Sequence, residues 1–552
     1  MRRALLAILG ILVAPAAAGA RAPDVASYRI EATVKGDGAV EGRETLTFTN
    51  RTDRTFETLP LGLFPDGTGG ISITSVSLPG GEDLPRSTTE DRALLFVRLP
   101  SAVPPGGTLQ LDIAFTARLP KDAAFAGTAG DFVLLARFFP QLAVPPASFG
   151  DVDAVLTVPS AWKGKTLATG LLVRTEDAKN GQVKLTYRAA DVNDFALAAC
   201  PRCEVHRDLV EEKGLPAVTV RLLLQPDHRA LRARYLAAAR TALVTFGSRY
   251  APYPHAEVGL VDPPWNGAFL RGAEFPGLVV GGGSWLSPRA VPSPEGVTMH
   301  GFARQWFGRL VAGSADSPGE GLAAYAANRL VAERFGETPL LVRPFGVPVT
   351  LEGIRLPDRS ASQAALLFTT AERTFSREAW DELLREYVER YAFRHPTRRD
   401  FLAHVEVHLG ARAAGLLRDV LASRGRVDAA VTHLAARPAP SGRGWDSVAV
   451  LERPGETAWP VDVALVFEGG HVVERTWDAP GRFLRYRVTG GPRLLSVRLD
   501  PKRKVLLDED PRNDGRSLAR DTAPARARSH GLRSFAQHVL ESMALLGISV
   551  KR

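Results

Sequence analysis

Three groups of side chains in this chain have the types and spacing to do chemistry. His300 and Arg304 are four residues apart, so a helix would set both on one face, and Glu320 follows after fifteen intervening residues. An imidazole and a carboxylate are ordinary ligands for a divalent metal, whereas a guanidinium stays protonated and can only donate. A further carboxylate, Glu274, lies upstream, and a carboxylate in a partly dry cleft is a sound receptor for an ammonium group. The second group is Cys200 and Cys203, the only two cysteines. At this spacing they read as a local disulfide. A redox pair would want a helix N-terminus, and a zinc knuckle would need a second pair. The third is His404 and His408 with Glu406 between them. Val405, Val407 and Leu409 interleave with them and suggest no dry cleft, so these histidines read as a surface pair.

The elements that must position the first group are two helices. Ser293-Pro294 and Ser317-Pro318 each pair a capping hydroxyl with a proline suited to the first helical turn. In the first helix Val297, Phe302, Ala303, Trp306, Phe307 and Leu310 form a wide apolar stripe, which predicts deep burial. Glu320 falls in the first turn of the second helix. Arg304 and Glu320 are therefore expected to touch, a buried cation being tolerable only beside an anion.

This arrangement resembles the aminopeptidase N family of zinc gluzincins. That family carries His-Glu-x-x-His on one helix, with a third zinc ligand from a Glu on the next. Gln305-Trp306-Phe307-Gly308 and Glu320-Gly321-Leu322-Ala323 match the family's wording around these motifs. The chemical residues depart from it: His300 remains, but Gly301 replaces the general base and Arg304 replaces the second imidazole. The segment Arg271-Gly272-Ala273-Glu274-Phe275-Pro276 resembles the family's Gly-x-Met-Glu element, an edge strand whose Glu holds a substrate's α-amino group. The resemblance thus implies Glu274, Gly272 and Glu320 as substrate-contacting positions, and His300, Arg304 and Glu320 as relics of a metal site. The alternative pairing for Glu274 is with Arg271 or Arg304. The family's oxyanion-stabilising Tyr should precede a helix beginning near Ser360, yet no Tyr occurs between Tyr325 and Tyr387.

The remaining chain supports the same architecture. Residues 1–22 combine Arg2 and Arg3, an apolar run to Val13 and Ala18-Gly19-Ala20, the pattern of a secretory signal peptide. Residues 23–205 read as an N-terminal β domain, with Leu46 and Phe48 alternating against threonines. Its wording from Val40 to Asn50 and from Leu61 to Pro65 is similar to the family's. Residues 206–437 resemble its thermolysin-like domain of mixed sheet plus helical lobe, with His395-Pro396-Thr397 as a connector. Pro438 to Gly444 reads as a linker. Residues 445–508 resemble the closing β-sandwich, and residues 509–552 hold a polar, Arg-rich tail expected to lack order and then an amphipathic helix on Leu532, Phe535, Val539, Met543 and Leu546. The expected fold class is multidomain α+β. With 69 Lys and Arg against 60 Asp and Glu, the chain is basic but has no dense basic run, which excludes nucleic acid as a favoured partner. The last helix is too polar to span a bilayer, and membrane contact through it is the less favoured reading. The reading that follows is an exported, periplasmic or secreted, aminopeptidase-like protein that binds a peptide or protein partner. It needs no cofactor and does not hydrolyse peptides. The alternative is an active zinc peptidase in which His300 and Glu320 are completed by Asp316, water or a distant residue.

Overall fold

The computed structural model describes residues 25–64, 70–120, 125–144, 149–282, 294–313, 316–336, 359–422 and 425–519. The signal-peptide pattern at residues 1–22, the Ser293 cap and the C-terminal amphipathic helix lie outside them.

The chain begins as β-structure. A seven-stranded sheet runs in the order 171–178, 182–192, 150–159, 26–34, 39–49, 108–118 and 71–77. Burial alternates along Ala39–Thr49, so Leu46 and Phe48 face inward as their spacing predicts. Two four-stranded sheets complete this part, and together they enclose one apolar core. Cys200 and Cys203 are joined by a disulfide at the end of the strand Ala196–Ala199.

A five-stranded mixed sheet follows, in the order 204–210, 218–224, 257–261, 278–280 and 274–275. Its last strand, Glu274–Phe275, is an edge, paired on one side only with Leu278–Val280. Helices α1 (Arg232–Arg249) and α2 (Glu295–Arg304) pack against it, and α3 (Gly319–Phe335) packs on α2. Then come α4 (Arg359–Thr374), α5 (Arg377–Tyr391) and α6 (Arg398–Leu421). The apolar stripe foreseen on α2 is buried throughout, from Val297 to Leu310. Arg234 of α1 clamps the first residue of α2, donating from Nε to Glu295 Oε1 (2.6 Å) and from Nη2 to Oε2 (2.8 Å). Thr397 and Asp400 form a reciprocal capping box that starts α6.

The chain closes with two sheets, 430–438 with 445–452 and 483–491, and 472–477 with 461–467, 494–499 and 515–517. Two expectations are corrected here. Residues 438–444 are not a linker but the turn of a hairpin, because Ala430–Pro438 pairs along its length with Trp445–Glu452. Pro and Gly mark both kinds of segment equally well. The first part of the Arg-rich tail is also ordered: Gly515–Ser517 adds an edge strand to Leu494–Leu499. No helix among the described residues is long and apolar enough to cross a membrane.

Glu44 is an unusual passenger in the first sheet. It is 2% exposed, and neither carboxylate oxygen has a hydrogen-bond partner. Burial pushes its pKa well above the usual carboxylate value, so the folded chain holds a proton that the unfolded chain releases. Stability should therefore be fully present below the unfolded carboxyl's pKa and fall as pH rises towards the folded value, by up to about 1.4 kcal/mol per pH unit. Glu44→Gln is expected to raise the thermal midpoint at pH 8 and to do so much less at pH 4. An equal effect at both values, read by thermal unfolding, would show that the carboxyl is not held protonated.

Candidate functional site

The site forms where the edge strand Glu274–Phe275 meets the C-terminal end of α2. Gln305 holds the two together. Its Oε1 accepts from Gly277 N (2.9 Å), and its Nε2 donates to Phe275 O (3.0 Å). Trp306 anchors the next turn through Nε1 to Ala251 O (2.8 Å). At this point α2 does not simply continue. Residues Gln305–Leu310 form a π-helical turn, in which Val311 N donates to Trp306 O (2.9 Å) and Phe307 leaves helical geometry. Widened turns of this kind recur at functional sites.

The turn brings a residue to the site that spacing did not foretell, Arg309. Its Nε donates to Glu274 Oε2 (2.9 Å), and its Nη2 donates to Oε1 (2.9 Å) and to the Glu274 carbonyl (2.7 Å). Its Nη1 also reaches Asn193 Oδ1 (3.3 Å). On a regular α-helix Arg304 and Arg309 would point about 140° apart. Here both reach the same carboxylate, because Arg304 Nε lies 2.9 Å from Glu274 Oε1. Arg304 also meets Glu320, Nη2 to Oε1 at 2.7 Å, so the contact expected from the sequence is present. Of the two partners foreseen for Glu274, Arg304 is one. Arg271 is not; its charge is felt instead by Asp262 and Tyr235.

The electrostatics follow from burial and pairing. Glu274 is 3% exposed. Burial alone would raise its pKa, but the Arg304 and Arg309 charges outweigh that and hold it down at about 2. His300 is buried, and burial followed by the Arg304 charge pulls its pKa down to about 3, against Glu274. It is thus a neutral imidazole at physiological pH, and its Nε2 has no hydrogen-bond partner. Glu320 keeps a side chain 44% exposed, with Oε2 unpartnered. Burial raises its pKa more than Arg304 lowers it. Gly272 sits in the turn entering the edge strand with φ +77°, and its N–H is committed to Val280 O (3.0 Å). The structure therefore brings Glu274, Arg304, Glu320 and His300 together and adds Arg309, while Gly272 contributes backbone conformation to the strand.

Gly301 stands where the resembling family places its general base. A Cβ at this position would lie 2.4 Å from Val279 Cγ1, a stiff, fully buried side chain on the neighbouring strand. The helix has approached the sheet too closely here to admit any side chain.

The histidines of α6 are a second correction. His404 is 6% exposed, not on the surface, and its Nε2 bonds the Leu383 carbonyl of α5 (3.1 Å). Val405 beside it is buried and Val407 is 80% exposed, so the helix presents His404 inward. Among the described residues, the grouping of three side chains able to hold a metal is Glu386, His404 and His408. Glu406 is not part of it.

No protein-family model matches this sequence, and no curated protein matches it. Solved structures do. The M1 zinc metallopeptidase from Deinococcus radiodurans aligns at 21% identity over 72% of this chain and 93% of its own, with a TM-score of 0.55. A mutant of that enzyme solved with a Tyr-Ser-Ala substrate aligns at 22% identity over 72% of this chain and 94% of its own, TM-score 0.54. Legionella pneumophila aminopeptidase A, solved with aspartic acid, reaches TM-score 0.67 at 14% identity, over 88% of this chain and 59% of its own. At these identities the likeness is one of fold: the chain is a multidomain α+β protein with the fold of the M1 aminopeptidases.

Proposed function

We propose that this chain is a member of the aminopeptidase N-like zinc metallopeptidases whose zinc site has been dismantled, exported by its N-terminal segment, and that it binds a peptide or protein partner without hydrolysing peptides. The observation that carries this reading is the Arg304 guanidinium, ion-paired at once with Glu274 and Glu320. The Deinococcus radiodurans neighbour named above is a zinc metallopeptidase. Here His300 and Glu320 offer two of the usual donors, but a permanent cation occupies the third ligand's position on the helix and takes up Glu320. A zinc ion beside that guanidinium would meet a like charge and one remaining neutral donor, so these residues do not fit a catalytic zinc. The place of the water-activating carboxylate is closed by the contact of Gly301 with Val279.

The partner class is suggested by the solved neighbours, which hold a tripeptide and an amino acid. Glu274 has its charge offset by two of the chain's own guanidiniums and so is a poor catcher for a free α-amino group. Glu320, the more open carboxylate, is the better contact, and Gly272 contributes through the turn that enters the edge strand. The domain layout proposed with this reading is an N-terminal β domain, a thermolysin-like domain, and a β-sandwich that takes in the strand from Ala430.

A second reading keeps one specific observation in its favour: His300 Nε2 and Glu320 Oε2 are both buried and unpartnered, as two empty metal ligands would be. Turnover separates the two. The tag-free chain, supplied with zinc, is expected to release no product from aminoacyl chromogenic amides or short peptides beyond the level of its His300→Ala variant. Hydrolysis that His300→Ala or Glu320→Ala abolishes would overturn the non-catalytic reading and establish the second.

The closed helix contact gives a separate expectation. Gly301→Ala should lower stability by about 1–3 kcal/mol through overpacking, and much of that loss should vanish when Val279→Ala is already present. Denaturant unfolding of the two single variants and the double variant measures this coupling. Simple additivity would show that the helix can move aside and that the base position is not closed.

A further inference from the structure

A different part of the helical lobe carries a constellation that the fold's old centre does not use. His404 and His408, one turn apart on α6, face Glu386 of α5, and one ligand atom from each lies within 4.8 Å of the others. His404 Nε2 bonds the Leu383 carbonyl. A carbonyl can only accept, so Nε2 carries the proton and Nδ1 keeps the lone pair. An imidazole with one nitrogen held on a carbonyl, which leaves the lone pair on the other, is the outer-shell arrangement of metal-bound histidines. His408 Nε2 is buried without a hydrogen-bond partner, 3.3 Å from Glu386 Oε2. A simple ion pair would account for that approach but would leave the His408 nitrogen without a hydrogen bond. Glu386 itself has a half-exposed side chain, so an ion could enter from solvent on that side.

We propose that Glu386, His404 and His408 bind a divalent transition-metal ion that clamps α5 to α6. Two imidazoles and a carboxylate suit zinc, with water in the fourth position. The site is structural in kind and independent of the residues around Arg304. Arg390, one turn beyond Glu386, adds a positive charge felt at His404 and works against the ion. Its removal should therefore strengthen binding.

Zinc itself is the probe, titrated into the full chain after chelator stripping and followed by calorimetry and by elemental analysis after dialysis. One equivalent is expected to bind and to raise the thermal midpoint. His408→Ala should weaken binding by more than the roughly 10–100-fold typical of losing an outer-shell partner. Glu386→Gln, at a half-exposed side chain that folding does not need, should weaken it too. Arg390→Ala should tighten it, and His300→Gln should leave it unchanged. Cobalt substituted for zinc should give the absorption of a four-coordinate ion, which an adventitious surface site would not. Absence of binding, or binding indifferent to His408→Ala and Glu386→Gln, would overturn the site while leaving the non-catalytic reading intact. Zinc lost in His300→Gln but retained in His408→Ala would overturn both.

Discussion

The structure around the site depends on one buried carboxylate and the two guanidiniums that neutralise it. An isolated ionised Glu274 at 3% exposure would be prohibitively desolvated and would take up a proton instead. Arg304 and Arg309 prevent that, and in doing so they determine the local geometry. The edge strand must lie where Glu274 meets the end of α2, and the following turn must widen to swing Arg309 back. The start of α3 must bring Glu320 against the far side of Arg304. Removing any one of these groups would leave the others with uncompensated charge in a dry place, a loss far larger than that of an exposed ion pair.

The same arrangement can be seen as an exchange of one cation for another. In a metal site of this fold the positive charge is a bound ion that can leave, and its ligands are neutral or anionic. Here the charge is covalently attached at Arg304 and cannot leave. The two carboxylates are balanced by the two guanidiniums, and His300, with its pKa near 3, adds nothing. A site neutralised by its own side chains has little residual field with which to hold a divalent ion, and that supports a binding role for the cleft. The costs left unbalanced are the polar atoms without hydrogen-bond partners: His300 Nε2, Arg304 Nε and Glu320 Oε2.

How much of this could be read from the sequence varied with the range of the interactions involved. The two helices, the buried stripe from Val297 to Leu310 and the Arg304–Glu320 contact were legible, because helical periodicity places side chains on faces over short distances. Arg309 was not, since its arrival depends on a π-turn, and regular spacing sends it to another face. The only hint was its position directly after the Gln305-Trp306-Phe307-Gly308 motif. His404 was misjudged as a surface group because burial on a helix is decided by its neighbour, here α5, and not by the alternating residues beside it. The hairpin at 438–444 and the strand at 515–517 failed for a related reason: turn residues do not announce whether the strands they join will pair.

Gly301 ties the local packing to the functional question. A glycine inside a helix weakens it by roughly 1 kcal/mol relative to alanine, so its presence at a buried helical position requires a gain elsewhere. That gain is visible in the close approach of α2 to the strand Leu278–Val280, where Val279 fills the space that a side chain would need. A helix drawn closer to the sheet also draws His300 and Arg304 towards the edge strand, which helps Arg304 reach Glu274. The absence of a side chain at position 301, the closeness of the helix to the sheet and the guanidinium at position 304 are therefore physically coupled, each making the others easier to accommodate. Reinstating a catalytic carboxylate at Gly301 would demand a smaller residue than Val279 and a wider helix–sheet gap. Glu274 would keep Arg304 and Arg309 throughout, so the pairing that holds the edge strand to the end of α2 does not depend on position 301.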